Sequence, residues 1–498
     1  MSDPESVVLG VDSSTQSCKV EVRDLVTGRL LATGSAPHPP AYPPSSEQHP
    51  SEWVSAFVAA ATEALSRCAA PPRVRAISVA AQCHGLVLLD EAGRPLRTAK
   101  LWNDTTGAAH LARLVDDIGA QPWIRRIGSL PTAAFTIAKV AWMAEHEPGM
   151  LDRAAAMVLP HDYLVYWLTG ALVTDRSEAS GTGYFDTAAR QWVPEYLSLA
   201  AGHRDWPALL PTVLGPCESA GTLRGAAAEA LGIRDADVVV GPGGGDQHAA
   251  YLGLGLDDGD QYIGIGTSGV VATSSRAPVF DPTGMVDGVA DLTGGYLPLV
   301  STLNAARVGD VAAGLLGTDP ATLADLALAA GDRRGPILVP FLDGERKPNR
   351  PDAHGTVADL TSHTTREELA RAFVEGPLLS LMSARDDLRA CGVDVGGNPV
   401  AVGGGTRSRA TLQLLADLLG EEITVLDADE ATARGACVQA AAVASGSDVG
   451  GLRDLAKRWQ PAVRAQVSPR TTGRDLAAVR SRYADLARLT QLDEEAGR

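Results

Sequence analysis

Apolar and polar positions along the chain draw one short pattern twice. Residues 7–22, VVLGVDSSTQSCKVEV, read as a buried strand through Val7, Val8, Leu9 and Val11. A tight polar turn follows at 12–17, then an alternating strand through Val20 and Val22. Residues 261–275, QYIGIGTSGVVATSS, repeat the plan: Tyr262, Ile263 and Ile265 enter a Gly266-Thr267-Ser268-Gly269 turn, and Val270, Val271 and Ala272 leave it. One hairpin opens each half of the chain, a repeat at domain scale rather than a short solenoid period. A third polar break, AVGGGTRS at 401–408, follows the run NPVAV and precedes an amphipathic helix predicted over 410–419, with Leu412, Leu415 and Leu419 on one face. Leu476, Val479, Tyr483 and Leu486 share a face of a helix predicted over 475–489, which is expected to fold back onto the protein.

The breaks between apolar runs carry the candidate chemistry. A hairpin turn of Asp, Ser, Thr and Gln gathers hydroxyls and backbone donors toward one point, which suits phosphate oxygens, while Asp12 can face a hydrated cation. Glycine in the 266–269 turn lets backbone N–H groups approach a phosphate with no Cβ in the way. Gly403, Gly404 and Gly405 let a flat ring lie against the backbone, and the helix N-terminus that follows favours anions. Taken singly, each segment also fits a plain solvated turn or strand-to-helix loop.

Val238, Val239 and Val240 form a short apolar run into GPGGGDQHAAYLG, and a helix is expected to begin at Asp246, as its cap or its first-turn acid. A carboxylate there can take a proton from a hydroxyl that attacks a γ-phosphate, since phosphoryl transfer is mainly positioning and charge stabilisation. Residues 76–90, AISVAAQCHGLVLLD, place a break at Gln82-Cys83-His84-Gly85 between two strands, and Lys100-Leu101-Trp102-Asn103-Asp104-Thr105 follows. Amide, imidazole, carboxylate and a flat ring together recognise a polyhydroxylated ligand, although His84 and Trp102 each alone also fit a core role. There is no G-x-x-x-x-G-K-[ST], no G-x-S-x-G, and the GPGGG stretch lacks the dinucleotide spacing.

Composition narrows the class. A chain of 498 residues exceeds one ordinary core and is expected to form two large domains or more, and 45% hydrophobic with 21% charged residues is a folded globular mix. The net charge of −17 argues against nucleic acid or an anionic membrane as main partner, but not against a nucleotide held by local donors and a cation. No apolar run reaches the length of a membrane span, and the acidic start has no secretory signal, so a cytoplasmic location is expected. The scattered cysteines, Cys18, Cys68, Cys83, Cys217, Cys391 and Cys437, argue against disulfides and structural zinc. The proline-rich stretch 37–50 is expected to be a rigid loop without chemistry of its own.

In order along the chain, VVLGVDSSTQSCKV, QCHG, LWND, FTIAKVAWMAEHEP (135–148), LPHDYLVYWLTG (159–170), TDRSEASGTGYFD (174–186), GPGGGDQHAAYLGLG, GIGTSGVV, PFLDGERKPNRPDAHG (340–355) and VGGGTRS resemble the FGGY family of carbohydrate kinases. The resemblance covers nearly the whole chain. It implies an α/β fold of two actin-like (ribonuclease H-like) lobes with mixed β-sheets flanked by helices, and an active site in the interlobe cleft. The expected division is 1–243, a sugar-binding lobe with the first phosphate loop, and 244–498, a nucleotide-binding lobe. The implied activity is ATP-dependent phosphorylation of a small ketose, D-xylulose to D-xylulose 5-phosphate first, with ATP and Mg²⁺ as cofactors. Another small ketose or polyol is the alternative acceptor. An actin-like ATPase without a sugar is a third reading, and the QCHG–LWND pair speaks against it.

By the same resemblance Asp246 corresponds to the base and Asp12 to the metal-side acid. Gln82, Cys83, His84, Trp102, Asn103, Asp104 and Gln247 look like sugar contacts, together with Asp246. Ser14, Thr15, Lys19, Gly266, Thr267 and Ser268 look like phosphate grips, and Gly403, Gly404, Gly405 and Arg407 like the adenosine clamp. Glu345 and Arg346 either line the nucleotide side or form a buried ion pair, and the ion pair is the expectation. The sequence departs from the family pattern at Cys83 (usually Met), Thr106 (often Arg), Ala138 (Pro), His161 (Lys) and Lys347 (Thr). Cys83 and Thr106 fall by the sugar. The implied partners are the sugar and ATP, with no nucleic acid and no membrane, and a homodimer is left open.

Overall fold

A computed structural model of the protein describes residues 5–496, so the acidic start at 1–4 lies outside the described residues. The first hairpin forms as the periodicity predicts. Strands β1 (Ser6–Ser13) and β2 (Ser17–Asp24) pair antiparallel, with Asp12 opposite Lys19 and Ser13 opposite Cys18 across the turn. β3 (Leu30–Pro37) extends the meander, and β4 (Arg73–Ala81) runs parallel to β1 on the other side. Helix α1 (Pro50–Ser66) joins β3 to β4 and buries Trp53, Phe57, Ala60 and Ala64 in the core beneath the sheet. Beyond β4 come the short strands β5 (Gly221–Thr222), β6 (Val239–Val240) and β7 (Gly244–Gly245), giving the order β5-β6-β4-β1-β2-β3, with β7 also beside β4.

The second half rebuilds this plan. β8 (Gln261–Ile265) and β9 (Gly269–Ala272) form the second hairpin, with β10 (Asp287–Ala290), β11 (Tyr296–Thr302), β12 (Pro399–Val402), β13 (Ile423–Leu426) and β14 (Val463–Val467) completing the order β10-β11-β9-β8-β12-β13-β14. In both sheets an antiparallel three-strand meander is followed by parallel strands on the far side of its first strand. The domain-scale repeat seen in the sequence is thus a repeat of topology.

The long segment between β4 and β6 carries helices α2 (Thr136–His146), α3 (Pro160–Thr169) and the short α4 (Arg176–Ser180). After β7 the chain enters α5 (Asp246–Leu254), then β8. Helix α6 (Arg366–Ala390) links β11 to β12, and α7 (Arg409–Leu419) links β12 to β13. In α7 the buried leucines are Leu414, Leu415 and Leu418, so the face is turned from the predicted one; Leu412 and Leu419 are only partly buried. Helix α8 (Ala431–Ala444) follows β13 yet lies on the first sheet: a side chain at Gly10 of β1 would collide with Ala433 and Cys437. α8 also crosses α5 at the small residues Ala249, Gly253 and Gly435, where a Cβ on either glycine would strike the other helix's backbone. Helix α9 (Leu476–Ala496) returns Val479, Tyr483 and Leu486 to the second core, as predicted. All six cysteines are free thiols, and no helix among the described residues is long and apolar enough to cross a membrane.

Candidate active site

Strand register brings the distant candidate acids together. Asp12 on β1 and Gly244 on β7 flank the same residue, Ala80 of β4, from opposite sides. Two inter-strand spacings therefore separate β1 from β7, about 10 Å. Asp12, Gln82 and Asp246 thus rise at neighbouring carboxyl ends of parallel strands, where ligand crevices form in α/β sheets.

Asp246 is the first helical residue of α5, and Gly245 is the N-cap. Of the two expected positions, the first-turn acid is the one occupied. Its Oδ1 accepts the Gln247 N–H at 2.7 Å and faces Cys83 Sγ at 3.4 Å. Burial raises its carboxyl, while those two donors bring it down. Burial likewise pushes Asp12 up to about 7, against the Ser14 hydroxyl that bonds its Oδ1; the Asp246 charge adds to the rise. A buried carboxylate raised by a second one calls for a cation, so the donor chemistry around Asp12 fits a divalent metal.

The sugar-side candidates line loops of the first lobe. His84 sits at the left-handed φ of 63° and stacks on Phe135, ring centroids 5.1 Å apart. Burial, with Lys139, His248 and Arg346 nearby, pushes its imidazole down to about 3, so it is neutral. Trp102 donates its Nε1–H to Thr15 Oγ1 at 2.8 Å, tying the 100–105 loop to the first hairpin turn, and Arg346 lies over its ring at 5.4 Å. Gln82 Oε1 and Asn103 Oδ1 are buried and take no hydrogen bond from the chain. Such acceptors are costly unless a ligand's hydroxyls or water satisfy them.

Asp104 is spent differently: its oxygens accept from the Ser46 N–H at 3.0 Å, Lys100 Nζ at 3.1 Å, the Thr106 N–H at 3.0 Å and the Thr106 hydroxyl. It orders the loop bearing Trp102 and Asn103, and Thr106 belongs to that brace. Gln247 is exposed at the start of α5. Lys19 is paired with Glu430, Nζ to the two oxygens at 2.7 and 2.8 Å.

On the second lobe the 266–269 turn is anchored by Gly266 and Thr267 carbonyls, which accept from Ala306 at 2.9 Å and Ala305 at 3.2 Å, leaving Thr267 and Ser268 exposed at the tip. Gly403, at φ 91°, lies where a Cβ would stand 2.8 Å from Ile265 O, which seats the 403–405 loop against β8. Beside it opens a cavity of about 520 Å³ lined by Gly404, Gly405, Arg407, Ala306, Phe373 and Leu378, among others. An apolar slot floored by glycines suits a flat base.

Several residues went unread in the sequence. Gln48, in the proline-rich stretch expected to be inert, donates to Thr15 O at 3.1 Å and Pro39 O at 2.7 Å and so holds the first hairpin turn. Glu345 and Arg346 do not form the expected ion pair. Glu345 accepts the N–H groups of Leu303 at 2.5 Å and Arg346 at 2.8 Å, and Asn304 Nδ2 at 3.1 Å, which frees the guanidinium to reach Trp102. A wholly buried cluster also lies between α3 and α4: His161 Nδ1 is 3.2 Å from Asp162 Oδ1 and 3.9 Å from Glu178 Oε2. Its signal was the acid-rich 174–186 segment, but a helix-start acid looks the same in sequence whether buried or solvated.

Comparison with known proteins finds relatives along almost the whole chain. The N-terminal domain of the FGGY family of carbohydrate kinases matches residues 7–253, and its C-terminal domain residues 261–444. A xylulose kinase of Streptomyces coelicolor is 41% identical over 460 residues, 92% of this chain and 91% of that one. One of Escherichia coli is 35% identical over 429 residues, 83% and 85%. The crystal structure of xylulose kinase from Bifidobacterium adolescentis superposes with a TM-score of 0.85 at 38% identity, covering 97% of this chain and 99% of that one.

Proposed function

The chain belongs to the FGGY family of carbohydrate kinases, and from that membership we infer that it transfers the γ-phosphoryl group of ATP to D-xylulose, giving D-xylulose 5-phosphate and ADP. Asp246 is the base. It takes the proton of the sugar hydroxyl as that oxygen attacks the γ-phosphorus in line, and the phosphorus–oxygen bond to ADP breaks. His84, Trp102, Asn103 and Gln82 hold the sugar, with Gln247 at the rim. The neutral imidazole and the unpaired acceptors are matched to hydroxyls rather than to a charged ligand.

Ser14 and Thr15 on the first hairpin and Gly266, Thr267 and Ser268 on the second grip the phosphates. Gly403, Gly404, Gly405 and Arg407 clamp the adenosine in the adjoining cavity. Asp12 holds Mg²⁺, whose charge when bound stabilises the phosphate oxygens. The same reading divides the chain at 243/244, although Gly244–Gly245 still pairs with β4 and α8 covers the first sheet, and Asp246 starts the helix that leaves that sheet. Lobe closure then excludes water from the γ-phosphate.

The observation that carries the assignment is the meeting of Asp12 and Asp246 at one sheet end, with the unpaired acceptors Gln82 Oε1 and Asn103 Oδ1 on the adjoining loops. The test is ADP release from Mg·ATP across a panel of ketoses and polyols. Turnover should depend on D-xylulose, and Asp246→Asn should lower it by about 10²–10⁴-fold with ATP affinity unchanged. ADP release indifferent to sugar would overturn the kinase reading, and activity retained in Asp246→Asn would remove the base.

A further inference from the structure

Three side-chain atoms converge on the Cα of Gly245, the residue before the base. A Cβ there would lie 2.7 Å from Glu178 Oε1, 2.7 Å from His248 Nδ1 and 2.8 Å from Cys83 Sγ. Glycine at 245 is what lets a buried acid, a thiol and an imidazole meet behind Asp246. Cys83 Sγ donates to Asp246 Oδ1 at 3.4 Å, and Glu178, whose two carboxyl oxygens are buried without a hydrogen-bond partner, meets the thiol over Gly245. Burial, then the Glu178 and Asp246 charges, hold its thiol well above the usual range, so it stays protonated. It has one proton to donate, which goes to Asp246 here, and the unpartnered Glu178 is the second carboxylate placed to compete for it.

We propose that Glu178 is a positioning residue for the base: it competes with Asp246 for the single S–H of Cys83, and so sets how strongly the thiol supports the Asp246 carboxylate. The inference rests on Asp246 being the base. No proton leaves sulfur. The S–H turns from one carboxylate to the other, and the only O–H that breaks is the sugar's, whose proton goes to Asp246.

Glu178 is built into place. Asp175 accepts the N–H groups of Ser177 at 2.7 Å and Glu178 at 3.0 Å, and Ser177 Oγ accepts the Gly245 N–H at 3.2 Å. The ionisable groups around Asp246, besides Cys83, are Asp12 on β1 and Tyr262 on β8; those around Glu178 are His161 on α3, Asp175 before α4 and His248 on α5. Burial pushes the Glu178 carboxyl up to about 7, against the pull of His161, so its charge changes near neutrality. The methionine usual in the family at position 83 has no proton to share, so the coupling is particular to a chain with cysteine there.

The acid limb of kcat/KM against pH reports the base in the free enzyme. Cys83→Met removes the donor and should move that limb to higher pH by about half a unit or more, while Cys83→Ser, which still donates, keeps it near its original place. Glu178→Gln removes the competing carboxylate and should move the limb to lower pH. The same change made in the Cys83→Met background should leave the limb of Cys83→Met unmoved. If Glu178→Gln does not fold, Glu178→Asp, which draws the carboxylate back from the thiol, should move the limb the same way, and a limb unmoved by it overturns the inference. A limb indifferent to Cys83→Met, one moved equally by Cys83→Ser, or a Glu178→Gln shift that persists without the thiol overturns the inference. In each case turnover lost in Asp246→Asn leaves the base standing, whereas turnover kept in Asp246→Asn removes the base itself.

Discussion

His84 carries two costs that a structural residue would shed. Its backbone sits at φ 63°, where a non-glycine residue is strained by roughly 1–3 kcal/mol. Its ring is held against Phe135 and occupies the volume a side chain at Gly181 would need. Burial pushes the imidazole from its usual value of 6.5 down to about 3. The sign follows directly. The unfolded chain takes up a proton as pH falls below 6.5 and the folded chain does not, so stability drains away between about 6.5 and 3. The expected slope from this group is about 1.4 kcal/mol per pH unit at most. Urea unfolding from pH 7 to pH 4 should show it, and His84→Gln, which cannot ionise, should be flatter over that window by up to that slope. Equal slopes for the two proteins would mean that His84 is protonated in the fold. The sequence singled out this residue and Asp246 because each stands at a break between apolar runs. It could not tell Asn103, with an unpaired oxygen, from Asp104, whose oxygens are spent on Ser46, Lys100 and Thr106. Both lie in the same LWND run, and only three-dimensional partners separate them.

At the scale of elements, hairpins and amphipathic helices were legible because their periods differ, 2 against 3.6. Helix α8 was not. Its sequence, ATARGACVQAAAVA, is buried nearly all round, and a helix without a polar face does not announce which sheet it covers. What fixes it is the close crossing with α5, where Gly253 and Gly435 let backbones touch. Gly435→Val should therefore force the two helices apart and destabilise the fold by about 3 kcal/mol, in spite of valine's better helix propensity. Gly309, in the helix Arg307–Leu315, has nothing near its missing Cβ. Gly309→Ala should stabilise by about 0.5–1 kcal/mol. Denaturant titration of both proteins checks the contrast, and equal effects would show that the crossing is not tight. The turned face of α7 has a related cause. Three leucines fix an approximate stripe, but the neighbouring leucines Leu414 and Leu418 decide which side meets the core.

Across the whole molecule, the first hairpin and the start of α8 are joined by Lys19 and Glu430, 411 positions apart in the chain. No local pattern reveals such a pair. Side-chain exposures of 39% and 32% leave it half in water, so it adds only about 0–1 kcal/mol to stability. That weakness gives it a second use. Lys19 lies directly opposite Asp12 across the hairpin, so a phosphate bound at the turn competes with Glu430 for the ammonium. If Lys19 grips phosphate, Glu430 is its resting partner, and the two single changes act oppositely on ATP. Glu430→Gln frees the lysine and should lower the KM for ATP several-fold, while Lys19→Ala should raise it by about tenfold, the worth of one charge-assisted hydrogen bond. A lysine that only braces the hairpin against α8 predicts something else: both changes would shift thermal stability slightly, in the same direction, and neither would alter KM. Steady-state kinetics with ATP varied at saturating sugar separate the two, because a bond this exposed is too weak for stability alone to decide and a phosphate contact is too strong for KM to miss.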